Sequence, residues 1–257
     1  MNRPLRIISL FGCAVLGVSA GAEPVPSGNS KELEEAIALL EESFSAWEPQ
    51  AFDEPVQRLQ RLCQTSTAPE FWHWAAVAQF HHILCRESQG SKPLEGNCLE
   101  KAVRTLDRAL ILDPQNAECH TMRGILLGMR ISRQLAAALW LGPKLMSDQR
   151  LALEQGRDNP RVRYLHGISI YRASKGKDAS KALGELLEAE RLFQAEANGA
   201  GAPLRFRWGF DHCLYLTGDL YRSEGDSAKA VEYYSKALHL NPRLRQAQTA
   251  LRQLTGS

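Results

Sequence analysis

Apolar residues recur at intervals of three and four along most of this chain, the spacing of helices that bury one face. Near the C-terminus two such runs meet at Gly225-Asp226, and Asn241-Pro242 closes the second run. Small residues fall where the two helices would touch, with Gly218 in the first run and Ala230 and Ala237 seven apart in the second. No alternating strand pattern competes with this one, so the sequence predicts an all-α fold.

The small-large-small face of the second run recurs twice upstream. It is repeated as Ala102, Leu106 and Ala109 and again as Ala182, Leu186 and Ala189. Such an internal repeat predicts a solenoid of stacked antiparallel helix pairs, because one pair has too little core to be stable alone. We place the repeat domain at residues 30–257, with the best unit at 211–244 and weaker units at 69–114, 117–157 and 160–193.

Two features refine this layout. A fifth helix is expected to continue to about Trp140, and Gly142-Pro143 is expected to start a shorter helix after it. At the C-terminal end, Arg243 to Leu254 can form a last, more polar helix. We expect this helix to cap the exposed end of the stack.

The first 22 residues have the pattern of a secretory signal peptide. Arg3 and Arg6 precede a short apolar run, and Ala20-Gly21-Ala22 resembles a cleavage site. A lipoprotein signal ending at Cys13 is the alternative, but the bulky Phe11 fits it poorly. We therefore expect an exported protein, periplasmic or secreted, with a flexible leader over residues 23–29.

Charge excludes one class of partner. The chain has 31 Lys and Arg against 29 Asp and Glu, and cleavage after residue 22 would remove Arg3 and Arg6 but no acid. A formally neutral chain does not favour nucleic acid as a partner or charge-driven attachment to a membrane. No second apolar run is long enough to span a bilayer, so no stable membrane insertion is expected after cleavage.

The cysteines predict one possible disulfide. Cys85 ends one helix and Cys98 begins its antiparallel neighbour, so their sulfurs could meet in an oxidising compartment. Cys119 and Cys213 occupy the same position of their repeats and are interpreted as small buried fillers. His81 and Cys85 could reach one metal ion from one helix face, but two ligands do not make a site, and we expect neither metal nor other cofactor.

The best unit resembles the tetratricopeptide repeat, a helix-turn-helix of about 34 residues. The residues that fall on the family pattern are Leu214, Thr217, Gly218, Tyr221, Ala230, Tyr234 and Pro242. The region from Gly142-Pro143 to Trp208-Gly209 is also similar to exported bacterial proteins of this family. The resemblance implies an α-α superhelix whose concave wall is formed by the first helix of each pair.

The family pattern also implies which side chains line that groove. In the two units concerned they are Arg161, Tyr164, Tyr171, Arg172, His212, Tyr215, Asp219 and Arg222. Tyrosines flanked by arginines suit a peptide with acidic and apolar groups, since both residue types anchor interfaces well. The competing interpretation is that the tyrosines pack between repeats and the arginines are solvated.

The resemblance favours a non-catalytic scaffold or adaptor of the cell envelope that binds a protein or peptide in its groove. One alternative is a solenoid that binds a small molecule, which a deep apolar cavity near Trp72, Trp140 or Tyr171 would support. An enzyme is the other alternative, and it would require a cluster of groups with shifted pKa values. No catalytic motif is present, and an open, polar-rimmed groove would favour the scaffold over both alternatives.

Overall fold

The computed structural model describes residues 27–90, 97–174, 176–197 and 208–256, and these residues are almost entirely helical. The helices are α1 (Ser27–Ala46), α2 (Asp53–Thr65), α3 (Pro69–Ser88), α4 (Cys98–Leu112), α5 (Ala117–Arg133), α6 (Ala138–Gln155), α7 (Pro160–Ala173), α8 (Ala179–Ala197), α9 (Phe210–Ser223), α10 (Ser227–Leu240) and α11 (Arg245–Thr255). Short 3-10 helices at Pro49–Phe52 and Leu135–Ala137 precede α2 and α6. No strand occurs in the described ranges, which confirms the predicted all-α class.

Successive helices pack as the pairs α1-α2, α3-α4, α5-α6, α7-α8 and α9-α10. Helix α11 covers the last pair, because Ala250 joins Ala230 and Tyr234 in a small apolar cluster. This arrangement confirms the predicted solenoid of helix pairs with a C-terminal capping helix. The predicted signal peptide at residues 1–22 lies outside the described residues, as does most of the predicted leader, since α1 already begins at Ser27.

The pairs form two layers. The first helices of neighbouring pairs contact one another, α1 with α3, α3 with α5, and α5 with α7. The second helices contact mainly the helices next to them in the chain. The array therefore curves, with the first helices on the inner, concave side and the second helices on the outer, convex side.

The curvature brings the two ends of the array together. The end of α1 meets α9, where the rings of Trp47 and His212 lie 4.4 Å apart. Asn241, just after α10, donates its amide N–H to Ser45 Oγ at 3.1 Å. Arg243 pairs with Glu42 at 2.6 Å, and Arg245 pairs with Glu48. The described solenoid is thus closed on itself, which the sequence pattern did not predict.

The expected boundary between the fifth and sixth helices is wrong. Helix α5 ends at Arg133, and α6 already begins at Ala138 and contains Pro143 in its interior. A Gly-Pro pair such as Gly142-Pro143 usually indicates a helix boundary, because proline lacks the backbone N–H that a helix interior uses. Here Pro143 leaves only the carbonyl of Leu139 without its helical partner, and Leu139 is exposed to water, so the helix continues.

Candidate functional site: two clefts of the inner face

The middle of the inner face is filled by aromatic rings. Phe44 on α1 packs on His81 at 4.7 Å between ring centroids, and His81 lies 5.2 Å from Trp208. The Nδ1–H of His81 donates a hydrogen bond to Val77 O at 2.8 Å, and burial lowers the pKa of the ring to about 3. These residues form a neutral, packed plug, and the inner face is consequently not one continuous groove.

Two of the predicted groove residues are buried, although the sequence predicted that they would face an open groove. Tyr164 is only 2% exposed and His212 only 5% exposed, so neither side chain faces an open groove. Tyr164 lies against Gly209, and His212 lies between Asp211 and Trp47. Gly209 covers Tyr164, and the closure of the array buries His212 against Phe44 and Trp47.

The other predicted groove residues lie in separate surroundings. Arg161 is mostly buried and lines one cleft, whereas Tyr215 and Arg222 line a second cleft. Asp219 accepts a hydrogen bond from Tyr234 Oη at 2.6 Å and so has a structural partner.

The last two of the predicted residues, Tyr171 and Arg172, lie at the end of α7. Tyr171 is exposed, and Arg172 pairs with Glu87 at 2.5 Å. The structure therefore does not bring the eight predicted residues into one surface, and their role in binding stays a prediction.

The larger cleft, here called the first cleft, has a volume of about 530 Å³. It lies where the N-terminal ends of α3, α5 and α7 come together, and Trp208 closes one side. Its lining residues are Pro69, Glu70, His73, Trp74, Asp113, Gln115, Asn116, Ala117, Glu118, Gln155, Gly156, Asn159, Arg161 and Trp208. The cleft is open to solvent, and nine of these fourteen residues are polar or charged.

Helix caps position the charged residues of this cleft. Asn116 caps α5 by accepting a hydrogen bond from Cys119 N at 3.0 Å, and Asn159 caps α7 by accepting from Arg161 N at 2.9 Å. Each cap fixes the first turn of its helix. Glu118 and Arg161 both lie two residues after their caps, so the repeat places them side by side on neighbouring helices.

A buried charge network forms around Glu118. Its Oε1 accepts hydrogen bonds from Arg161 Nε at 2.7 Å and from Asn159 Nδ2 at 2.8 Å. Its Oε2 lies 3.3 Å from His73 Nε2, and Arg161 also pairs with Glu196 at 3.1 Å. Because its charged groups are paired and hydrogen-bonded, this network holds the inner wall of the cleft rigid.

The network shifts the pKa values of its members. Burial alone would lower the pKa of His73, but its hydrogen bonds to Cys119 and Glu118 outweigh burial and raise that pKa to about 10. Burial favours the neutral form of Glu118, but the hydrogen bond from His73 and the charge of Arg161 hold its pKa well below the ordinary value. The pair is therefore charged at neutral pH.

Cys119 lies next to this network. Its Sγ is 3.6 Å from His73 Nδ1, so Cys119, His73 and Glu118 follow one another as thiol, imidazole and carboxylate. Cys119 is fully buried, as expected of a filler, and so is Cys213. The sequence did not indicate the contact with His73, because the two residues are 46 positions apart.

The second cleft, of about 420 Å³, lies at the opposite ends of the first helices. Trp47 forms its floor with a positive φ of 47°, rare for a bulky residue. Its indole N–H donates to Ser88 Oγ at 3.0 Å, and Gln89 donates to its carbonyl at 2.8 Å. Tyr215 and Arg222 supply the wall on α9.

Two other predictions concern metal and disulfide chemistry. In the described ranges, no group of three or more His, Cys, Asp and Glu residues is arranged to hold a metal ion. Cys85 is buried at the end of α3, where burial raises the pKa of its thiol to about 12, and Cys98 begins α4. Their pairing stays a prediction. None of the described helices is long and apolar enough to cross a membrane.

Comparison with known proteins agrees with the repeat architecture. Residues 212–244 match the family model of the tetratricopeptide repeat. No curated protein matches the chain. Among solved structures, a tetratricopeptide-repeat protein of Thermus thermophilus, TTC0263, is similar over 89% of this chain and 100% of its own, with 13% identity and a TM-score of 0.60.

A second similar structure is pilF of Pseudomonas aeruginosa, with 20% identity, 71% of this chain and 68% of the other covered, and a TM-score of 0.45. The similarity to the Thermus protein concerns the fold alone. Together with the match at residues 212–244, it identifies the fold of this chain as a helical solenoid of the tetratricopeptide-repeat type.

Proposed function

We propose that this protein is a non-catalytic scaffold of the cell envelope that binds an extended peptide segment of a partner protein in the first cleft. The proposal rests on one observation, the open, polar-rimmed cleft that the N-terminal ends of α3, α5 and α7 form. This form supports peptide binding, because an extended segment can lie across several helix ends at once. The envelope location rests on the signal-peptide pattern of residues 1–22.

The cleft offers the contacts that an extended segment needs. Trp74 and Trp208 provide apolar wall for one or two side chains. Gln115 and Gln155 lie on the rim, and their amide groups can donate to and accept from a peptide backbone. The Glu118–Arg161 pair beneath them is already formed, so binding does not require these charges to reorganise.

The two alternative functions, a small-molecule-binding solenoid and an enzyme, receive less support from the structure. A small-molecule site would be concave and mostly apolar, whereas this cleft is open and nine of its fourteen lining residues are polar or charged. The cluster of Cys119, His73 and Glu118 resembles a nucleophile with its base, which would suit an enzyme. However, Cys119 does not line the cleft and is fully buried, so its sulfur is out of reach of a substrate there.

A peptide-display selection tests the proposal with a matched pair of variants. Gln155→Trp places a large ring in the cleft, whereas Glu154→Trp changes the adjacent exposed residue, which does not line it. Peptides selected on the wild-type protein should bind Gln155→Trp at least about tenfold more weakly, a loss of about 1.4 kcal/mol. They should bind Glu154→Trp unchanged. Equal binding to both variants, or a selection that enriches no peptide, would remove the first cleft as the binding site.

A further inference from the structure

The outer face carries a group of exposed apolar residues that the proposed function does not use. Leu135 is 78% exposed, Leu139 84%, Met146 64% and Trp140 54%. Leu139, Pro143 and Met146 follow one another at helical spacing, and Leu135 lies one turn before them. Together these five residues are called the α6 patch. Exposed side chains of this size are ordinary when single but informative when contiguous.

Helix α6 buries little apolar surface of its own. Of its 18 residues only Asp148 and Ala152 are buried. Ion pairs help to hold it in place. Asp148 pairs with Arg123 at 2.6 Å, and Lys144 pairs with Asp107 at 2.7 Å. The exposed side chains of its N-terminal half, Leu139, Trp140 and Met146, are therefore not required for packing within the chain.

Basic residues flank the patch. The segment from Arg130 to Ser147 contains Arg130, Arg133 and Lys144 but no acidic residue. Two neighbouring carboxylates offset part of this charge, with Glu87 at 3.9 Å from Arg133 and Asp107 at 2.7 Å from Lys144. Three basic residues against these two carboxylates leave a local excess of about one positive charge.

These features favour a bilayer surface over a protein as the occupant. Protruding leucine and methionine side chains beside a tryptophan, with basic residues at the margin, are the composition of helices that lie in a membrane interface. Tryptophan prefers that boundary because its ring is apolar and its N–H is polar. The patch lies mainly on a second helix, in the convex layer, and its side chains are exposed.

We propose that the α6 patch docks the protein on the surface of an anionic lipid bilayer. Leu135, Leu139, Trp140 and Met146 enter the boundary between headgroups and acyl chains, and Arg130 and Arg133 lie near the lipid phosphates. This attachment is peripheral, and it leaves the first cleft on the inner face open to a partner. The proposal does not depend on peptide binding.

Vesicle binding of the full chain tests this attachment. Vesicles of phosphatidylglycerol and phosphatidylcholine in equal parts are compared with vesicles of phosphatidylcholine alone, both with brominated acyl chains. The bromine should quench mainly Trp140, because Trp140 is exposed, whereas Trp72 is half-buried and Trp47, Trp74 and Trp208 are buried. Trp140→Phe should abolish the quenching and so assign it to this residue. Salt should weaken the binding to anionic vesicles.

Variants separate the patch from other contacts. Leu139→Ser with Met146→Ser should weaken anionic-vesicle binding at least about tenfold, since two large apolar side chains lose their burial in lipid. Tyr171→Ser, at an exposed aromatic residue on another helix, should leave it unchanged. The apolar run of residues 7–18 is identical in all variants, so a difference between variants reports on the α6 patch. Circular dichroism checks that each variant is folded.

Two outcomes would overturn the proposal. Vesicle binding without quenching of Trp140 would place the contact elsewhere on the chain. A dimer in analytical ultracentrifugation that the double variant dissociates, together with no vesicle binding, would show that the patch is an interface between two copies. Quenching that the double variant abolishes supports docking on the bilayer.

Discussion

At the scale of single residues, Gly218 marks the closest approach within the last helix pair. A Cβ atom at this position would lie 2.7 Å from the ring of Tyr234, and Tyr234 is completely buried. The ring therefore has no room to move away. A methyl group here would overpack the contact between α9 and α10.

The first prediction compares two glycines in helices. Gly218→Ala should lower the free energy of unfolding by about 1–3 kcal/mol, the usual cost of overpacking. Gly184→Ala is the control, because nothing lies within 4 Å of its added methyl group. That variant should gain up to about 1 kcal/mol from the better helix propensity of alanine. Urea unfolding measures both, and a stabilised Gly218→Ala protein would contradict the close contact.

The second prediction concerns pH and His73. The pKa of His73 is raised to about 10 by its bonds to Cys119 and Glu118, which outweigh burial. Its contribution to stability is therefore full below the unfolded pKa of about 6.5 and is lost as the pH rises towards 10. His73→Gln should be less stable than the wild type by about 1–3 kcal/mol at pH 6, the cost of a charged hydrogen bond.

The difference should shrink steadily between pH 6 and pH 10 in urea titrations. His239→Gln serves as the control, because His239 is exposed at the end of α10, and it should show no such trend. A constant difference across this pH range would mean that His73 is not charged in the folded protein.

At the scale of secondary-structure elements, α6 is attached by a buried carboxylate in addition to a small apolar contact at Ala152. Asp148 is 1% exposed and receives two hydrogen bonds from Arg123, at 2.6 and 2.8 Å. His120 Nδ1 lies 2.8 Å from the same carboxylate. Burial favours a neutral Asp148, but the Arg123 hydrogen bonds outweigh it and lower its pKa. The attachment of α6 should weaken in acid as Asp148 becomes protonated.

The third prediction tests this attachment. Asp148→Asn should cost about 3 kcal/mol, at the low end for a broken buried ion pair, because it removes the buried carboxylate and leaves Arg123 with Asp107 as its charge partner. Glu154→Gln makes the same chemical change in the same helix, at an exposed ion pair with Arg150, and should cost less than about 1 kcal/mol. Hydrogen exchange should show that α6 loses protection in the first variant only. Unchanged protection there would contradict the role of Asp148.

At the scale of the whole molecule, the closure of the array is the main feature that local sequence patterns could not predict. The pairs, the capping helix and the buried Cys119 follow from periodicity within segments of about 34 residues. Trp47 and His212 are 165 positions apart, and they meet only because small rotations between successive pairs add up. No single residue encodes that sum, so the burial of His212 was missed.

The candidate site was also only partly predictable, because some of its contacts follow the repeat pattern and others depend on how repeats stack. Glu118 and Arg161 have opposite charges at equivalent positions after the caps Asn116 and Asn159, and this pattern could have indicated their ion pair. The contact of His73 with Cys119 depends on how two pairs stack, and its signal is not local. Patterns within one repeat were reliable, and contacts between repeats were less so.

The fourth prediction concerns the closure itself. Trp47→Ala should lower the free energy of unfolding by about 3–5 kcal/mol, because it removes a large buried ring between α1, α3 and α9. Trp140→Ala is the matched control, since Trp140 is exposed and should cost less than about 1 kcal/mol.

Small-angle scattering should show a larger radius of gyration for Trp47→Ala alone, as the ends separate. An unchanged radius in a destabilised but folded variant would mean that other contacts, such as Asn241 with Ser45, are sufficient to hold the ends together.

The meeting of α1 with α9 also constrains how this protein can change over evolution. An open solenoid can gain or lose a unit by duplication or deletion, because every new repeat contacts only its neighbours. In this chain an added unit between α3 and α8 would rotate α9 away from α1 and break contacts such as Trp47 with His212. The number of pairs within the ring is therefore fixed by geometry. New binding properties must come from substitutions in the clefts and not from a longer array.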